Sequence, residues 1–386
     1  MPEKKKKSLE GAGKKQFHTK KIEKNNKTLW KGQNMFRIYA IGGGIIFLFS
    51  LFFFVRSVFF SGQNSQNNGL GESNEQTNES QTENACAQRS GFNGKCLGGQ
   101  TEVSRIVGVM IENHNQAQPL SGISDASVVY EAPVEGNIPR FLALYESPDQ
   151  VEQVGPVRSA RPYYVDWISE YGNAMYMHVG GSDEALLNIK KFGIFDMNEF
   201  YRGGFFFRHA QRSAPHNVYT SSEFWSQGLD AYAENYQNTS FNPWTFADSE
   251  VCNIQTSMNC EDSVSFAYVK GAYEVEWKYN MEKNLYERYQ NGVLHKDADG
   301  KIITANSVII QHADMDILDD IGRRKIDTVG EGLAEVYAFG KKVSGKWKKQ
   351  ERISRTQWVL ESGENIPLSA GKIWVELVPT GILVQN

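Results

Sequence analysis

Cysteine is scarce in this sequence, and the usual metal-binding patterns are absent. Four Cys and seven His are spread over 386 residues, and no two Cys have the spacing of a C-x-x-C motif. The Cys form two close pairs, Cys86 with Cys96 and Cys252 with Cys260, and no His lies near either pair. Two local disulfides are the simplest interpretation, a zinc site is the alternative, and no bound metal is expected.

Common catalytic motifs are also missing. The sequence has no P-loop, no G-x-G-x-x-G after a predicted strand, no H-E-x-x-H and no G-x-S-x-G. These absences remove the signatures of the common nucleotide-binding proteins, zinc proteases and serine hydrolases. No cofactor is expected, and the sequence leaves open whether the protein is an enzyme.

Positive charge is concentrated at the N-terminus. Residues 1–37 hold twelve Lys or Arg against Glu3, Glu10 and Glu23, so the net charge of −4 conceals an acidic remainder. Residues 38–55 are eighteen residues without a charge, and residues 57–60 extend the apolar run past Arg56. About twenty apolar residues span a bilayer core of roughly 30 Å. We therefore predict a transmembrane helix at residues 38–60.

The Lys-rich flank predicts the orientation of this helix. Residues 1–37 form a basic cytoplasmic tail, and the main body is extracytoplasmic, at the cell membrane. A cleaved signal peptide is the alternative, but no small-residue cleavage pattern follows the run, and the first Cys, Cys86, is too distant to accept a lipid there. Since basic flanks are common beside membrane helices, no nucleic-acid partner is expected.

Two kinds of sequence follow the membrane segment. Residues 61–83 are almost free of apolar side chains, which predicts a flexible tether at residues 61–100 that includes the Cys86/Cys96 loop. Strand patterns then alternate with helical patterns, which predicts a mixed α/β domain at residues 101–240. The predicted strands are residues 106–111, 127–130, 141–145 and 174–179, and the predicted helices are residues 161–171, 182–191 and 221–236.

The last third of the chain has a different pattern. Short aromatic or β-branched segments separated by turn signals such as Asn291-Gly292 predict a β-rich domain at residues 263–386. Residues 241–262, with Cys252 and Cys260, form the predicted junction. The expected fold class is α+β: an N-terminal mixed α/β sandwich domain followed by a β-rich C-terminal domain, preceded by one transmembrane helix.

Two Arg follow a tight turn within the first domain. Arg158, Ser159 and Arg161 lie between Gly155-Pro156 and a predicted helix that begins near Pro162. Arg forks beside a helix N-terminus suit a phosphate or a carboxylate. The same Arg could instead pair with nearby carboxylates and fix the turn, and the residues alone favour neither interpretation.

A second group of cations lies at residues 201–217. Arg202, Arg208, His209, Arg212 and His216 stand close together in an otherwise acidic body, with Asn217 after His216. His216 lies in a predicted loop and is a candidate acid or base, and His178 at a predicted strand end is a second candidate. A structural role is the alternative for both His.

A third group combines carboxylates with polar partners. Asn113, Asp125, Glu131, Glu135 and Arg140 lie at or near predicted strand ends. Glu131 and Glu135 are a possible acid–base pair, as in glycoside cleavage. Alternatively, they hold Arg140, Arg158 and Arg161 in place, and this second role is favoured.

These residues carry a resemblance to a known family. The strings Ile111-Glu112-Asn113-His114, Gly155-Pro156-Val157-Arg158-Ser159-Ala160-Arg161 and Ala214-Pro215-His216-Asn217, with DDIGRRKIDTVGEG at residues 319–332, resemble the YerB-like family of bacterial extracytoplasmic proteins, which often carry a lipid anchor. The resemblance covers residues 103–379 and implies a mixed α/β domain before a β-rich domain, but it implies no reaction. A membrane segment replaces the lipid-bearing Cys, Asn137 replaces Gly, and His209 replaces an acidic residue.

Three functions are compatible with the sequence. The leading hypothesis is an envelope-anchored binding or regulatory module that recognises an anionic cell-wall ligand through an Arg-rich cleft. The candidate ligand-binding residues are Asn113, Glu131, Glu135, Arg140, Arg158, Ser159, Arg161, His178, Arg212, His216 and Asn217. A hydrolase or transferase of a cell-wall polymer that uses Glu131, Glu135 or His216 is one alternative, and a scaffold for other envelope proteins is another.

Overall fold

A computed structural model describes residue 86 and residues 88–99, 105–147, 149–237, 240–247 and 263–386, which all belong to one compact unit. The predicted tail, the predicted membrane segment and most of the tether lie outside the described residues, as do Cys252 and Cys260. Within the described ranges, no helix is long and apolar enough to cross a membrane. The membrane anchor and the second disulfide therefore stay predictions.

Strands dominate the described part of the chain. They are β1 Arg105–Glu112, β2 Val128–Pro133, β3 Pro139–Ser147, β4 Met175–His178, β5 Phe195–Asn198, β6 Phe207–Arg208, β7 Val218–Tyr219, β8 Phe246–Ala247, β9 Ser263–Val269, β10 Tyr273–Asn280, β11 Leu285–Gln290, β12 Val293–Leu294, β13 Thr304–Ala305, β14 Ser307–Ala313, β15 Met315–Ile317, β16 Arg324–Ile326, β17 Gly330–Ala338, β18 Lys341–Lys349, β19 Gln357–Val359, β20 Leu368–Ser369 and β21 Ile373–Pro379. The α-helices are α1 Pro162–Ile168, α2 Asp183–Lys191, α3 Glu199–Arg202 and α4 Ser222–Tyr232. Short 3-10 turns, including Asn115–Ala117 and Glu135–Asn137, connect several of them.

One mixed sheet of ten strands organises the molecule. Its strand order is β19-β18-β17-β14-β21-β2-β3-β1-β4-β5. Strand β2, from the mixed α/β portion of the sequence, pairs in parallel with β21, from the β-rich portion. In this pairing Val128 lies beside Ile373 and Glu131 beside Glu376. A second sheet of five strands contains β9, β10, β11, β12 and β13. The predicted order of a mixed portion before a β-rich portion is confirmed, but the sequence did not predict that both portions share one sheet.

The helices begin where the sequence offers good caps. Ser182 precedes α2 and its side chain accepts a hydrogen bond from Ala185 N. Asp183 and Glu184 fill the first turn of α2 and Lys190 and Lys191 its last turn, which complements the helix dipole. The predicted helices at residues 161–171, 182–191 and 221–236 are therefore confirmed, with ends shifted by a few residues or continued as 3-10 turns.

The large sheet is buried on both faces. One face packs against α4 and the second sheet, and the core between them includes Val109 of β1, Trp225 of α4 and Trp277 of β10. The other face packs against α1 and α2, and the core there includes Met110 of β1 and Trp167 of α1. At Gly108 in β1, a Cβ atom would lie 2.4 Å from Ile168 Cδ1, so the glycine permits the close approach of α1. Successive β1 residues alternate between the two cores.

The first predicted disulfide is present. Cys86 and Cys96 are bonded, with their Cα atoms 5.7 Å apart. The enclosed loop is held by further contacts, since Arg89 Nη1 donates to Gly94 O and Lys95 N donates to Asn93 Oδ1. This bond agrees with an oxidising compartment for the folded body.

Candidate functional site

The turn at residues 155–158 runs alongside the carboxyl end of β1. Val157 forms a bridge with Ile111, and its backbone N–H donates to Val218 O in β7. Arg158 continues the contact, because its N–H donates to Met110 O and its carbonyl accepts from Val179 N just after β4. The turn therefore gathers the ends of β1, β4 and β7 in one place, where α/β sheets commonly bind ligands.

A polar groove opens beside these strand ends. Its volume is 810 Å³, and none of its lining residues has a carboxylate side chain. Residues 209–216 form one wall, and the loop after β1 and a loop of the second sheet complete it. The lining residues are Gln116, Ser121, Gln153, His209, Gln211, Arg212, Ser213, Ala214, Pro215, His216 and Ala298.

A buried carboxylate lies directly behind His216. Glu112, the last residue of β1, has a side chain only 3% exposed, and its two oxygens lie 2.9 and 3.0 Å from His216 Nδ1. The same carboxylate forms an ion pair with Arg158, whose Nε lies 3.1 Å from Oε2. His114 stacks on His216 with ring centroids 5.3 Å apart.

Arg212 is held at the edge of the groove by the backbone. Its two terminal nitrogens donate to the carbonyl oxygens of Ala117 and Pro119. A guanidinium has five N–H donors, so these two bonds leave others available. Among the described residues Arg212 has carbonyl partners and no carboxylate partner, so no described side chain neutralises its charge.

The Arg161 side chain is fixed by Glu135. Arg161 Nε and Nη2 lie 2.6 and 2.7 Å from the two oxygens of Glu135, which is a bidentate pair. Arg140 Nη2 lies 4.0 Å from the same carboxylate, and its Nη1 donates to Ser159 O. This geometry agrees with the interpretation that the sequence favours for Glu135, in which its carboxylate holds Arg161 in place. It disfavours the two alternatives, Arg161 as an anion ligand and Glu135 as an acid or base.

The pKa shifts in this pair follow from burial and charge. Burial acts to raise the pKa of Glu135, but the hydrogen bonds and charge of Arg161, with the charge of Arg140, outweigh it and lower that pKa. Burial and the charge of Arg161 lower the pKa of Arg140 to about 10. Glu135 is therefore ionised at neutral pH and unsuited to donate a proton.

Glu131 is not part of any open cleft. It is fully buried between the two sheets, where Arg288 Nη2 lies 2.9 Å from both of its oxygens. Asn113 is buried beside it and exchanges hydrogen bonds with Gln290, at 2.9 and 3.2 Å. Both side chains are fully buried and bonded to protein partners, which contradicts the predicted roles of Glu131 and Asn113 in ligand binding.

A second carboxylate completes the buried network. Glu376 lies beside Glu131 in the sheet and accepts hydrogen bonds from Trp277 Nε1 and Tyr268 Oη, at 2.9 and 3.1 Å. Burial, and then the charge of Glu131, raise the pKa of Glu376 well above its usual range. Burial also raises the pKa of Glu131, although Arg288 opposes that shift. One cation faces two carboxyl groups, so Glu376 holds a proton.

Several other candidates have structural partners. His178 is fully buried, with Nδ1 2.7 Å from Gly180 O and Nε2 2.9 Å from Asp196 Oδ1. Arg208 connects α3 to the groove wall, since it donates to Glu199 Oε1 at 2.7 Å and to Asn217 Oδ1 at 3.1 Å. The burial and contacts of His178 leave it no nitrogen that faces a ligand, whereas Asn217 is half-buried and its role in ligand binding stays a prediction.

Three further residues of the predicted groups are not in the lining of the polar groove. Asp125 pairs with Lys301, with Oδ1 2.9 Å from Nζ. Ser159 contributes its carbonyl to Arg140, and Arg202 lies over the Tyr232 ring with its Cζ 4.0 Å from the centroid. No cluster of three or more metal-ligating side chains occurs in the part of the chain that the structure describes.

Sequence reasoning missed two central residues. Glu112 is not among the site residues predicted from the sequence, although a carboxylate at the end of a buried strand indicates that it has a partner. Arg288 lies in β11, where the inward positions Tyr286, Arg288 and Gln290 alternate with outward ones. An Arg at an inward position of an amphipathic strand should have indicated a buried ion pair.

Comparison with known proteins identifies relatives of both portions. Two family models match, described as "Protein of unknown function (DUF3048) N-terminal domain" at residues 94–237 and "Protein of unknown function (DUF3048) C-terminal domain" at residues 264–375. The protein named "Putative lipoprotein YerB" from Bacillus subtilis (strain 168) is 31% identical over 277 residues, which are 71% of this chain and 81% of that protein. The crystal structure of the Bacillus subtilis YerB protein matches with a TM-score of 0.66 at 29% identity, and covers 78% of this chain and 100% of that one.

Proposed function

The chain belongs to the DUF3048 family, and on that premise we propose that it is a binding module of the bacterial cell envelope that captures an anionic cell-wall ligand. The ligand occupies the polar groove, where His209, Arg212 and His216 contact its acidic groups. The observation that carries the proposal is the composition of the groove lining, which has cationic, amide and hydroxyl side chains and no carboxylate.

Charge explains why such a lining selects anions. The chain as a whole carries a net charge of −4, so a surface depression without a single carboxylate differs from its surroundings. Phosphate and carboxylate oxygens form short, strong hydrogen bonds with guanidinium and imidazolium donors. Amide and hydroxyl groups of Gln116, Gln153 and Ser213 suit the neutral hydroxyl groups of a polyol or a sugar attached to the anion.

The envelope location rests on two supports. The related Bacillus subtilis protein carries the name "Putative lipoprotein YerB", and lipoproteins are held at a membrane by a lipid. In this chain the uncharged residues 38–55 follow a Lys-rich flank, and a membrane helix there serves as the anchor in place of the lipid. The groove then faces the cell wall.

Binding of phosphate groups tests the proposal. We expect the full-length protein in detergent to bind a purified phosphate-bearing wall-polymer fragment, with affinity that falls as salt rises. Arg212→Gln removes a charged donor, which costs about 1.5–3 kcal/mol and weakens binding roughly ten- to a hundredfold, as measured by calorimetry.

Arg323→Gln is the matched control, because Arg323 pairs with Asp319 outside the groove lining. It should bind like the unmodified protein. Equal binding of a phosphate-free fragment, or unchanged binding by Arg212→Gln, would show that the groove does not recognise anions.

A further inference from the structure

His216 has the geometry of a general base, which the proposed binding role does not require. The carboxylate of Glu112 lies 2.9 and 3.0 Å from Nδ1, so Nδ1 carries the proton in the neutral ring and the lone pair is at Nε2. No partner for Nε2 is found among the described residues, and His216 lines the polar groove. A carboxylate that orients an imidazole with one free nitrogen is the acid–base half of many hydrolytic sites.

His178 shows what a structural His looks like in the same fold. It also has a carboxylate partner, Asp196, but its second nitrogen is bound to Gly180 O and its ring is fully buried. His216 instead has a side chain 15% exposed and one nitrogen bound. His216, unlike His178, has a ring nitrogen without a partner among the described residues, and proton transfer to a ligand needs such a nitrogen.

The charge of Glu112 is already balanced without a protonated His216. Arg158 Nε lies 3.1 Å from Glu112 Oε2, so the buried carboxylate has a permanent cation. The carboxylate therefore does not need a charged imidazole as its counter-ion, and it can accept the Nδ1–H of a neutral His216 ring.

We propose that the protein hydrolyses a phosphodiester in the polar groove, with His216 as the general base, Glu112 as its positioning residue and Arg212 as the phosphate ligand. Nε2 of His216 removes a proton from a water molecule, and the water oxygen forms a bond to phosphorus. The bond from phosphorus to the leaving oxygen breaks, and the protonated His216 returns its proton to that oxygen. Water and diester become a phosphomonoester and an alcohol. The proposal rests on anion binding in the same groove.

Hydrolysis of bis(p-nitrophenyl) phosphate by the full-length protein tests this activity. The unmodified protein should release p-nitrophenol, and His216→Gln should lower kcat at least about a hundredfold. Glu112→Gln should lower kcat and leave KM nearly unchanged, because Glu112 orients the Nδ1–H of His216 and does not line the groove. A purely structural Glu112 would change stability without this selective fall in kcat.

Two controls separate this proposal from the binding proposal. His312→Gln alters a His on β14, outside the groove lining, and should leave the rate unchanged. Arg212→Gln should raise KM more than it lowers kcat. If inorganic phosphate binds but the unmodified protein releases no p-nitrophenol between pH 5 and about 9, or if His216→Gln keeps its full rate, the proposed hydrolysis is wrong and binding alone remains. If phosphate does not bind and no hydrolysis occurs, both proposals are wrong.

Discussion

Glu131→Gln and Glu376→Gln make the same chemical change at two residues that pair across neighbouring strands. The buried network nevertheless predicts a large loss of stability for the first and a small one for the second. The two side chains are neighbours on one sheet face, and among the described residues the cation that they share is Arg288. Arg288 Nη2 lies 2.9 Å from both oxygens of Glu131, whereas its Nε lies 3.9 Å from Glu376 Oε1. Glu131 is therefore the ionised partner, and Glu376 is the protonated one.

The expected losses in the free energy of unfolding differ by about 2–5 kcal/mol between the two variants. Glu131→Gln removes the counter-charge of a fully buried Arg, and breaking such a pair costs about 3–5 kcal/mol. For a domain of this size, 1 kcal/mol corresponds to about 2–4 °C in Tm, so Tm should fall by roughly 6–20 °C. Glu376→Gln replaces a neutral acid by a neutral amide of the same shape, and we expect a loss below about 1 kcal/mol.

The pH dependence gives an independent test of the proton on Glu376. Burial raises its folded-state pKa well above the ordinary value of 4.5, so the folded protein holds a proton that the unfolded chain releases. The free energy of unfolding should therefore fall as pH rises from about 4.5 through the raised pKa. Glu376→Gln removes this titration, so its stability relative to the unmodified protein should improve as pH rises.

Thermal unfolding followed by circular dichroism, at several pH values between 5 and 9, measures both effects. Glu331→Gln is a suitable control, because Glu331 is exposed and its ion pair with Lys348, at 3.4 Å, is exposed too. It should change the free energy of unfolding by less than about 0.5 kcal/mol. If Glu376→Gln destabilises the protein as much as Glu131→Gln at every pH, the two carboxyl groups do not share a proton and the reasoning is refuted.

Two further predictions concern the Arg161 pair and the membrane topology. Arg161→Lys keeps the charge but loses the bidentate contact with Glu135, so the free energy of unfolding should fall by about 1–2 kcal/mol while binding of the phosphate-bearing fragment stays unchanged. Weaker binding without a fall in Tm would instead return Arg161 to the binding site. Protease treatment of intact protoplasts should digest the body after residue 61 and spare the Lys-rich tail, because the predicted orientation places that tail in the cytoplasm. Protection of the body from protease would contradict this orientation.

Sequence patterns of short range determined most of the secondary structure. The cap at Ser182, the charges at both ends of α2 and the apolar runs of β1 and β3 act within a few neighbouring residues, so the sequence displays them directly. The same holds for the Cys86–Cys96 bond, whose partners are ten positions apart. Each of these features could be predicted because the interacting groups are close in the chain.

Only the tertiary structure decided which polar residues are available to bind a ligand. Glu131 meets Arg288 157 positions later in the chain, and His216 meets Glu112 104 positions earlier. Nothing local distinguishes Glu131, which is sealed in the core, from Glu112, which supports the groove. Pairing of β2 with β21 brings Glu131 and Glu376 together, and the turn at residues 155–158 brings Arg158 to Glu112. The role of a charged side chain depends on its burial and on its partner, and long-range strand pairing sets both of these.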